Sequence, residues 1–211
     1  VTTNHTINAN FAINTYTLNV TSLHGAPSPS GLTTNNWNAF INASVNSPIP
    51  NGASTQYVCT GWSGSGSAPV SGLTTNTSFN ITNNSTLGWN WKTQYAFSAV
   101  SGGNGSVVAS NGWNDANSLV SATATASNGY SFVNWTGSVT STNNPLVMTL
   151  SNAVSVTANF IINTYGVTAL TVTNGTISPT GTTMVAYGSN INYSITASNN
   201  IVSILSSPKA S

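Results

Sequence analysis

Short stretches in which hydrophobic and polar residues alternate recur along the whole chain, for example at residues 16–20, 78–82 and 154–160. Glycine, proline, asparagine and serine separate these stretches. Alternation with a period of two over so few residues is typical of strands with one buried and one solvated face. The best helical candidate, residues 113–120, is short and rich in asparagine. The pattern therefore predicts an all-β protein built from small antiparallel sandwiches or barrels.

The alternating stretches form internal repeats. Residues 57–65 match residues 130–138, with Tyr, Trp, Gly and Ser in register and Cys59 at the position of Phe132. The strand pair that follows also matches, which places residues 79–91 on residues 148–160. Large side chains that keep the alternation in both copies are predicted to face inward. These core candidates are Trp62, Trp89, Trp91, Trp135 and Phe160.

The openings of the repeated modules match as well. Residues 25–31 resemble residues 175–181, and residues 126–130 resemble residues 197–201. The matches predict an isolated closing strand at residues 1–13, module one at residues 14–94, module two at residues 95–163 and a partial module three at residues 164–211.

The two ends of the chain carry complementary parts of a module. Residues 9–16 repeat residues 158–165, so the first strand corresponds to the strand that closes module two, whereas module three opens without a closing strand. We therefore expect Ile7, Ala9 and Phe11 of one copy to complete module three of the next by β-strand addition, giving an open head-to-tail fibre. If the copies are fused in one polypeptide, the same strand completes the preceding module in cis. The predicted acceptor side chains are Ile177, Val185, Ile191, Tyr193 and Ile195.

Charge is almost absent, since Lys92, Asp115 and Lys209 are the only charged side chains, against about 25% in an ordinary domain. Asparagine, serine and threonine hydrate the surface without repulsion between copies, and a net charge near zero favours association. No basic patch indicates nucleic acid or an anionic membrane. No apolar run approaches the roughly 18 residues of a membrane span. The partner we expect is a second copy of the chain.

Groups that titrate or bind metals are scarce. A single carboxylate side chain excludes paired-carboxylate glycosidase chemistry within one chain, as well as carboxylate-rich calcium sites. Neither His5 nor His24 lies in a nucleophile motif with which Asp115 would form a triad. We therefore expect no enzyme activity, no metal and no cofactor, and we interpret both histidines as exposed turn or strand-end residues.

Two reactive side chains each have an ordinary structural interpretation and a more specific chemical alternative. Lys92 is interpreted as a solvated lysine, and the alternative is an isopeptide bond to an asparagine, which generally needs a neighbouring buried carboxylate. Cys59 aligns with a core phenylalanine and is interpreted as a buried thiol. Its alternative is a disulfide between two copies.

Module two resembles the divergent internalin-B-type bacterial repeat. The resemblance rests on the Gly-Tyr-x-Phe-x-x-Trp-x-Gly core at residues 129–137, on Pro145, and on the closing Val-Thr-Ala-Asn-Phe at residues 156–160. Module one resembles a longer relative of it, and module three resembles a third variant. The resemblance implies small, mainly β modules, β-grasp-like in internalin itself, from stalks and adhesive arrays of secreted or surface-anchored prokaryotic proteins. It carries over no catalytic residue.

These observations predict an extracellular or cell-surface structural protein, a β-module subunit of a filament, stalk or sheath. The main alternative is an adhesin or carbohydrate-binding segment of a large surface protein, with surface glycans as partners. Trp37 and Trp113, in asparagine-rich stretches predicted to be loops, are its candidate platform. A third interpretation is a non-catalytic spacer attached to a secreted hydrolase.

Overall fold

The computed structural model describes residues 3–171 and 173–198, and every regular element within them is a β-strand. The all-β prediction is confirmed. The part of the chain that the structure describes contains no helix long and apolar enough to cross a membrane. In chain order the strands are β1 Thr15–Thr21, β2 Gly31–Asn36, β3 Ala39–Ser44, β4 Ile49–Pro50, β5 Thr55–Ser65, β6 Ser71–Gly72, β7 Asn76–Ile81, β8 Ser85–Ser101, β9 Gly105–Ala109, β10 Gly112–Asp115, β11 Leu119–Ala126, β12 Tyr130–Gly137, β13 Leu146–Thr149, β14 Val154–Ile162, β15 Thr164–Ala169, β16 Gly175–Ser178, β17 Gly181–Ala186 and β18 Ser194–Ala197.

The strands fall into two compact units. The first comprises the residues up to Phe97 together with Ser110–Val120 and Met148–Val154. The second comprises Ser98–Ala109, Ser121–Val147 and the described residues from Ser155 onward. Strand β8 runs without interruption through residues 94–95, where the sequence repeat places a module boundary. The compact units therefore follow a different division of the chain from the sequence modules, whose boundaries stay a prediction.

The main sheet of the first unit has the strand order β2-β1-β8-β5, with β4 and β6 paired to β5 and β10 paired to β8. Strands β5 and β8 are antiparallel, as expected, whereas β1 and β8 are parallel. The alternation in the sequence predicted antiparallel pairing throughout. The parallel pair is possible because these two strands open and close module one, and a parallel neighbour needs a connection of a dozen or more residues.

The core of the first unit lies between this sheet and the antiparallel pair β3–β7. The alternation seen in the sequence is reproduced, since Leu18 and Val20 of β1 face inward while Asn19 between them is exposed. Two layers around one core form a small sandwich. The β-grasp-like alternative includes a helix, and the described residues contain none. The buried core residues are Leu18, Val20, Ile41, Ala43, Val45, Trp62, Ala68, Phe79, Ile81, Leu87 and Trp89.

The second unit repeats this plan with other side chains. Strand β12 pairs antiparallel with β14, which also neighbours β8, and a second sheet has the order β13-β11-β9. The β12–β14 ladder has a bulge between Phe132 and Asn134, and the β5–β8 ladder has one between Cys59 and Gly61. Because Cys59 and Phe132 are aligned in the sequence repeat, the bulges fall at the same place in both modules. The repeat therefore extends to a local irregularity of the backbone.

Module three contributes two separate strand pairs among the described residues, β15–β17 and β16–β18. Their registers reproduce those of the earlier modules. Gly175 pairs with Ala197 as Gly105 pairs with Ala126 in module two. Module three thus begins to fold on the same plan as module two.

Candidate functional site

Residues 3–14, before β1, pair with no strand in the part of the chain that the structure describes. Residues 4–14 are irregular, and the predicted donor side chains Ile7, Ala9 and Phe11 are all exposed, Ile7 by 92% and Phe11 by 95%. Within the described part of the chain, the hydrogen bonds of residues 3–13 reduce to one between Thr3 Oγ1 and His5 Nε2, 3.3 Å long. Large apolar side chains on an unpaired segment indicate a surface that another part of a protein covers.

The residues of module two that correspond to this segment are buried or half-buried. Ile7 and Ala9 correspond to Val156 and Ala158 of β14, which are 1% and 0% exposed. Phe11 corresponds to Phe160, whose ring is half-buried and lies over Gly105, so closely that a β-carbon at this glycine would overlap it. The N-terminal segment therefore has the side-chain pattern of a strand that closes a module.

The predicted acceptor residues of module three are less buried than the equivalent residues of module two. Aligning Ala197 with Ala126 places Ile191, Tyr193 and Ile195 on Val120, Ala122 and Ala124, all of which are buried. In module three the first two are only half-buried, and Ile195 is 39% exposed. The hydroxyl of Tyr193 is shielded from solvent without a hydrogen-bond partner. The remaining acceptor candidates, Ile177 and Val185, are half-buried.

Some strand edges of module three have no neighbouring strand in the part of the chain that the structure describes. Within the described residues β15 pairs with β17 alone and β18 with β16 alone. In module one, β1 lies between β2 and the closing strand β8, and β3 pairs with β7. In module two, β11 lies between β9 and β13. The open edges of β15 and β18 therefore correspond to positions that a later strand fills in a complete module.

The predicted core aromatics occupy equivalent places in the two complete modules. Trp62 and Trp89 are 6% and 5% exposed, and their indole N–H groups have no hydrogen-bond partner in the structure. Trp135 is fully buried, donates from Nε1 to the Asn143 carbonyl at 3.0 Å, and lies 5.6 Å from the ring of Phe132. Trp91 is half-buried and donates from Nε1 to Ser22 Oγ at 2.9 Å.

The environment of His24 differs from the prediction that this residue is exposed in a turn. Its ring is half-buried, stacks on Tyr57 with 3.7 Å between the ring centroids, and meets Trp91 edge-on at 5.4 Å. No spacing in the sequence signals this contact, because Tyr57 reaches His24 only through the pairing of β5 with β8 and the turn after β1. Cys59, aligned with a core position, is half-buried and a free thiol.

Lys92 is not simply solvated, because it forms an ion pair with Asp115. The ammonium contacts both carboxylate oxygens, at 2.8 and 2.9 Å, and Gln94 Nε2 donates to Oδ1 at 2.8 Å. The hydrogen bond from Lys92 and then that from Gln94 lower the pKa of Asp115 below its usual value. Both charged side chains are well exposed, so the pair adds little to stability.

Trp37 and Trp113, the candidate glycan platform, are exposed by 56% and 42%. Trp37 lies in the turn after β2, as expected for a loop residue. Trp113 lies in strand β10, paired with Ala96 of β8, so its assignment to a loop was wrong. The ring contacts found among the described residues do not join these two tryptophans, and the structure therefore does not bring them together as one platform.

Comparison with known families identifies module two. Residues 95–164 match the family model described as the divergent InlB B-repeat domain, which confirms the resemblance seen in the sequence. Domains of this type typically occur in surface or secreted proteins. No curated protein and no solved structure matches the chain significantly.

Proposed function

We propose that the chain is an extracellular structural protein, the β-module subunit of a filament, stalk or sheath whose copies are joined head-to-tail by strand complementation. One observation carries the proposal. Among the described residues, residues 4–14 have no strand partner and expose a closing-strand sequence, while β18 and the residues before it leave Ile191 and Tyr193 half-buried and Ile195 39% exposed at positions that are buried in module two.

Strand addition fits the energetics of both surfaces. The open edge of β15 carries backbone N–H and C=O groups that an added strand would pair. Burying Ile7 and Phe11, now 92% and 95% exposed, would contribute roughly 1.5–3 kcal/mol each. With three charged side chains in the whole sequence, neighbouring copies would repel each other only weakly.

Module one gives the register of the proposed strand. There Val20 of the opening strand pairs in parallel with Leu87 of the closing strand. Val20 corresponds to Ala169, because Val20 pairs with Gly31 as Ala169 pairs with Gly181. Leu87 corresponds to Val156 and hence to Ile7. The donor strand should therefore run parallel to β15, with Ile7 opposite Ala169.

A pair of neighbouring substitutions tests the proposal. Phe11→Asp places a charge on the inward face and should abolish fibres in negative-stain microscopy. Ala12→Asp is the matched control, because Ala12 corresponds to Ile161, which is 59% exposed in β14, and it should leave fibres intact. Circular dichroism should show both variants folded. Normal fibres from Phe11→Asp would contradict the proposal.

An engineered disulfide checks the register and the partner of the same strand. In the parallel ladder Thr6 should lie opposite Thr168, one position before Ile7 and Ala169. Neighbouring strands fall within the Cα separation that a disulfide spans. Oxidising Thr6→Cys, Thr168→Cys in a Cys59→Ser chain should give a covalent ladder on a denaturing gel. A crosslinked monomer would instead show that the strand completes its own chain.

The carbohydrate-binding alternative is supported by the exposure of Trp37 and Trp113 alone. Assembly separates the two functions, because a filament subunit forms long uniform fibres unaided, whereas an adhesin segment stays a monodisperse particle that binds glycans.

A further inference from the structure

His5 lies on the inward face of the proposed donor strand. The parallel register that places Ile7 opposite Ala169 places His5 opposite Val167, two residues earlier on each strand. Because side chains two residues apart point to the same side of a strand, His5 shares the face of Ile7. In the described chain the His5 side chain is exposed. Strand addition would therefore bury a histidine that the unassembled chain leaves in solvent.

The position equivalent to His5 is buried in both complete modules. Ser85 in module one and Val154 in module two correspond to it, and each is 4% exposed. Ser85 pairs in parallel with Leu18, which is 0% exposed. In module three the equivalent of Leu18 is Val167, which is only half-buried. Val167 is thus less covered than its equivalent at the point where His5 would lie.

A polar side chain at this position needs hydrogen-bond partners. In module one, Ser85 Oγ accepts a hydrogen bond from the Ser67 N–H and donates one to the Asn83 carbonyl, both 2.8 Å long. A neutral imidazole also offers one donor and one acceptor. Thr3 lies two residues before His5 and shares its face in a strand, and its Oγ1 is already 3.3 Å from His5 Nε2. A neutral His5 ring therefore brings one partner to the buried position.

The sequence offers no free carboxylate side chain to pair with a protonated His5. Asp115 is its single acidic residue and forms an ion pair with Lys92. In the described strands of module three, the titratable side chains that would face His5 are Tyr165 of β15 and Tyr193 just before β18, whereas β16 and β17 contain none. Phenols carry no charge between about pH 5 and 8. A charge on His5 would therefore be buried without an opposite charge.

We propose that His5 makes fibre assembly pH-dependent, because the donor strand inserts with a neutral imidazole and leaves the acceptor module when this ring gains a proton. The inference rests on the proposed head-to-tail assembly and concerns the regulation of the same contact. Histidine changes its charge between about pH 5 and 8, and burying an unpaired charge is strongly unfavourable. The free strand binds the proton and the inserted strand does not, so the contact is most stable at the upper end of this range and weakens as the pH falls.

The test measures the critical concentration for fibre assembly of the full chain, by sedimentation at several pH values across this range. The critical concentration of the parent should rise as the pH falls, by roughly tenfold per pH unit once the free strand is protonated, as expected for one proton per contact. His5→Val introduces the residue found at the equivalent position of module two. This variant should assemble at one critical concentration throughout the range.

His24→Gln is the matched control. His24 is the other histidine of the chain, and its ring stacks on Tyr57 in module one, outside both the donor strand and module three. His24→Gln should keep the pH dependence of the parent. Circular dichroism at both ends of the pH range should show that each variant stays folded, so that a loss of fibres reports the contact and not unfolding.

The outcomes separate the two proposals. A parent critical concentration that does not change with pH, or a pH dependence that His5→Val leaves unchanged, would overturn the role of His5 while Phe11→Asp still fails to assemble. Loss of the pH dependence in His24→Gln would overturn it as well. Normal assembly of Phe11→Asp would remove strand complementation, and the role of His5 with it.

Discussion

Modules two and three share an opening but differ in how much of it they bury. The ladders β9–β11 and β16–β18 have the same register, with Gly105 opposite Ala126 and Gly175 opposite Ala197. Yet Ala124 is 6% exposed in module two, and Ile195, its equivalent, is 39% exposed in module three. The opening strands thus pair in the same register in both modules, whereas the equivalent side chain is less buried in module three.

This difference shows which interactions complete a module. Opening strands gain their backbone hydrogen bonds from each other, so a two-stranded ladder forms with or without a second layer. A hydrophobic face becomes a core only when strands such as β13 and β14 cover it, because the hydrophobic effect scales with apolar area removed from water. An isolated two-stranded pair is marginal in water, so module three is the part of the chain with most to gain from an added strand.

The largest expected loss of stability comes from a substitution in the core of module two. Trp135→Ala should lower the free energy of unfolding by about 3–5 kcal/mol, because the ring is fully buried and its loss leaves the Asn143 carbonyl without its donor. Denaturant unfolding followed by circular dichroism would measure this. Val133→Ala is the control, since Val133 is the 44% exposed bulge residue and should change stability by less than about 0.5 kcal/mol. An equal loss from both variants would refute the assignment of Trp135 to the core.

A smaller loss of stability is expected at the equivalent positions of modules two and three, where it should differ between the two modules. Val120→Ala should cost about 2 kcal/mol, because Val120 is 0% exposed and two methyl groups are removed from a packed site. Ile191→Ala, at the matching position of module three, should cost less than about 1 kcal/mol in a chain held unassembled by Phe11→Asp. In fibres formed without Phe11→Asp, Ile191→Ala should lower the denaturant midpoint of disassembly. An equally large loss in the unassembled chain would show that module three is already complete.

The smallest expected effect concerns the ion pair between Lys92 and Asp115. Asp115 has a lowered pKa in the folded chain, so its contribution to stability is present above the unfolded pKa and disappears as the pH falls through the folded value. Asp115→Asn should therefore reduce stability at neutral pH by less than about 1 kcal/mol, and the difference from the parent should vanish in acid. Thermal unfolding at several pH values would detect this, and a difference that persists in acid would assign it to a cause other than the charge.

Repeats in the sequence are enough to locate much of the candidate site. Alternation places Trp62 and Trp135 inward, and the repeat of residues 9–16 at residues 158–165 gives the N-terminal segment the side-chain pattern of a closing strand. Other contacts give no such signal. His24 on Tyr57 and Lys92 with Asp115 join residues far apart in sequence, and only the strand registers bring them together.

The sequence by itself determined the all-β class of the structure and, in strands such as β1 and β14, which face is buried. It did so because a strand has a period of two and each repeat keeps its own alternation. Tertiary structure decided the parallel pairing of β1 with β8, the continuity of β8 across a predicted boundary, and the ion pair of Lys92 with Asp115. Such features depend on which strands become neighbours. That choice is made by burial and hydrogen bonding between distant segments, which no local pattern encodes.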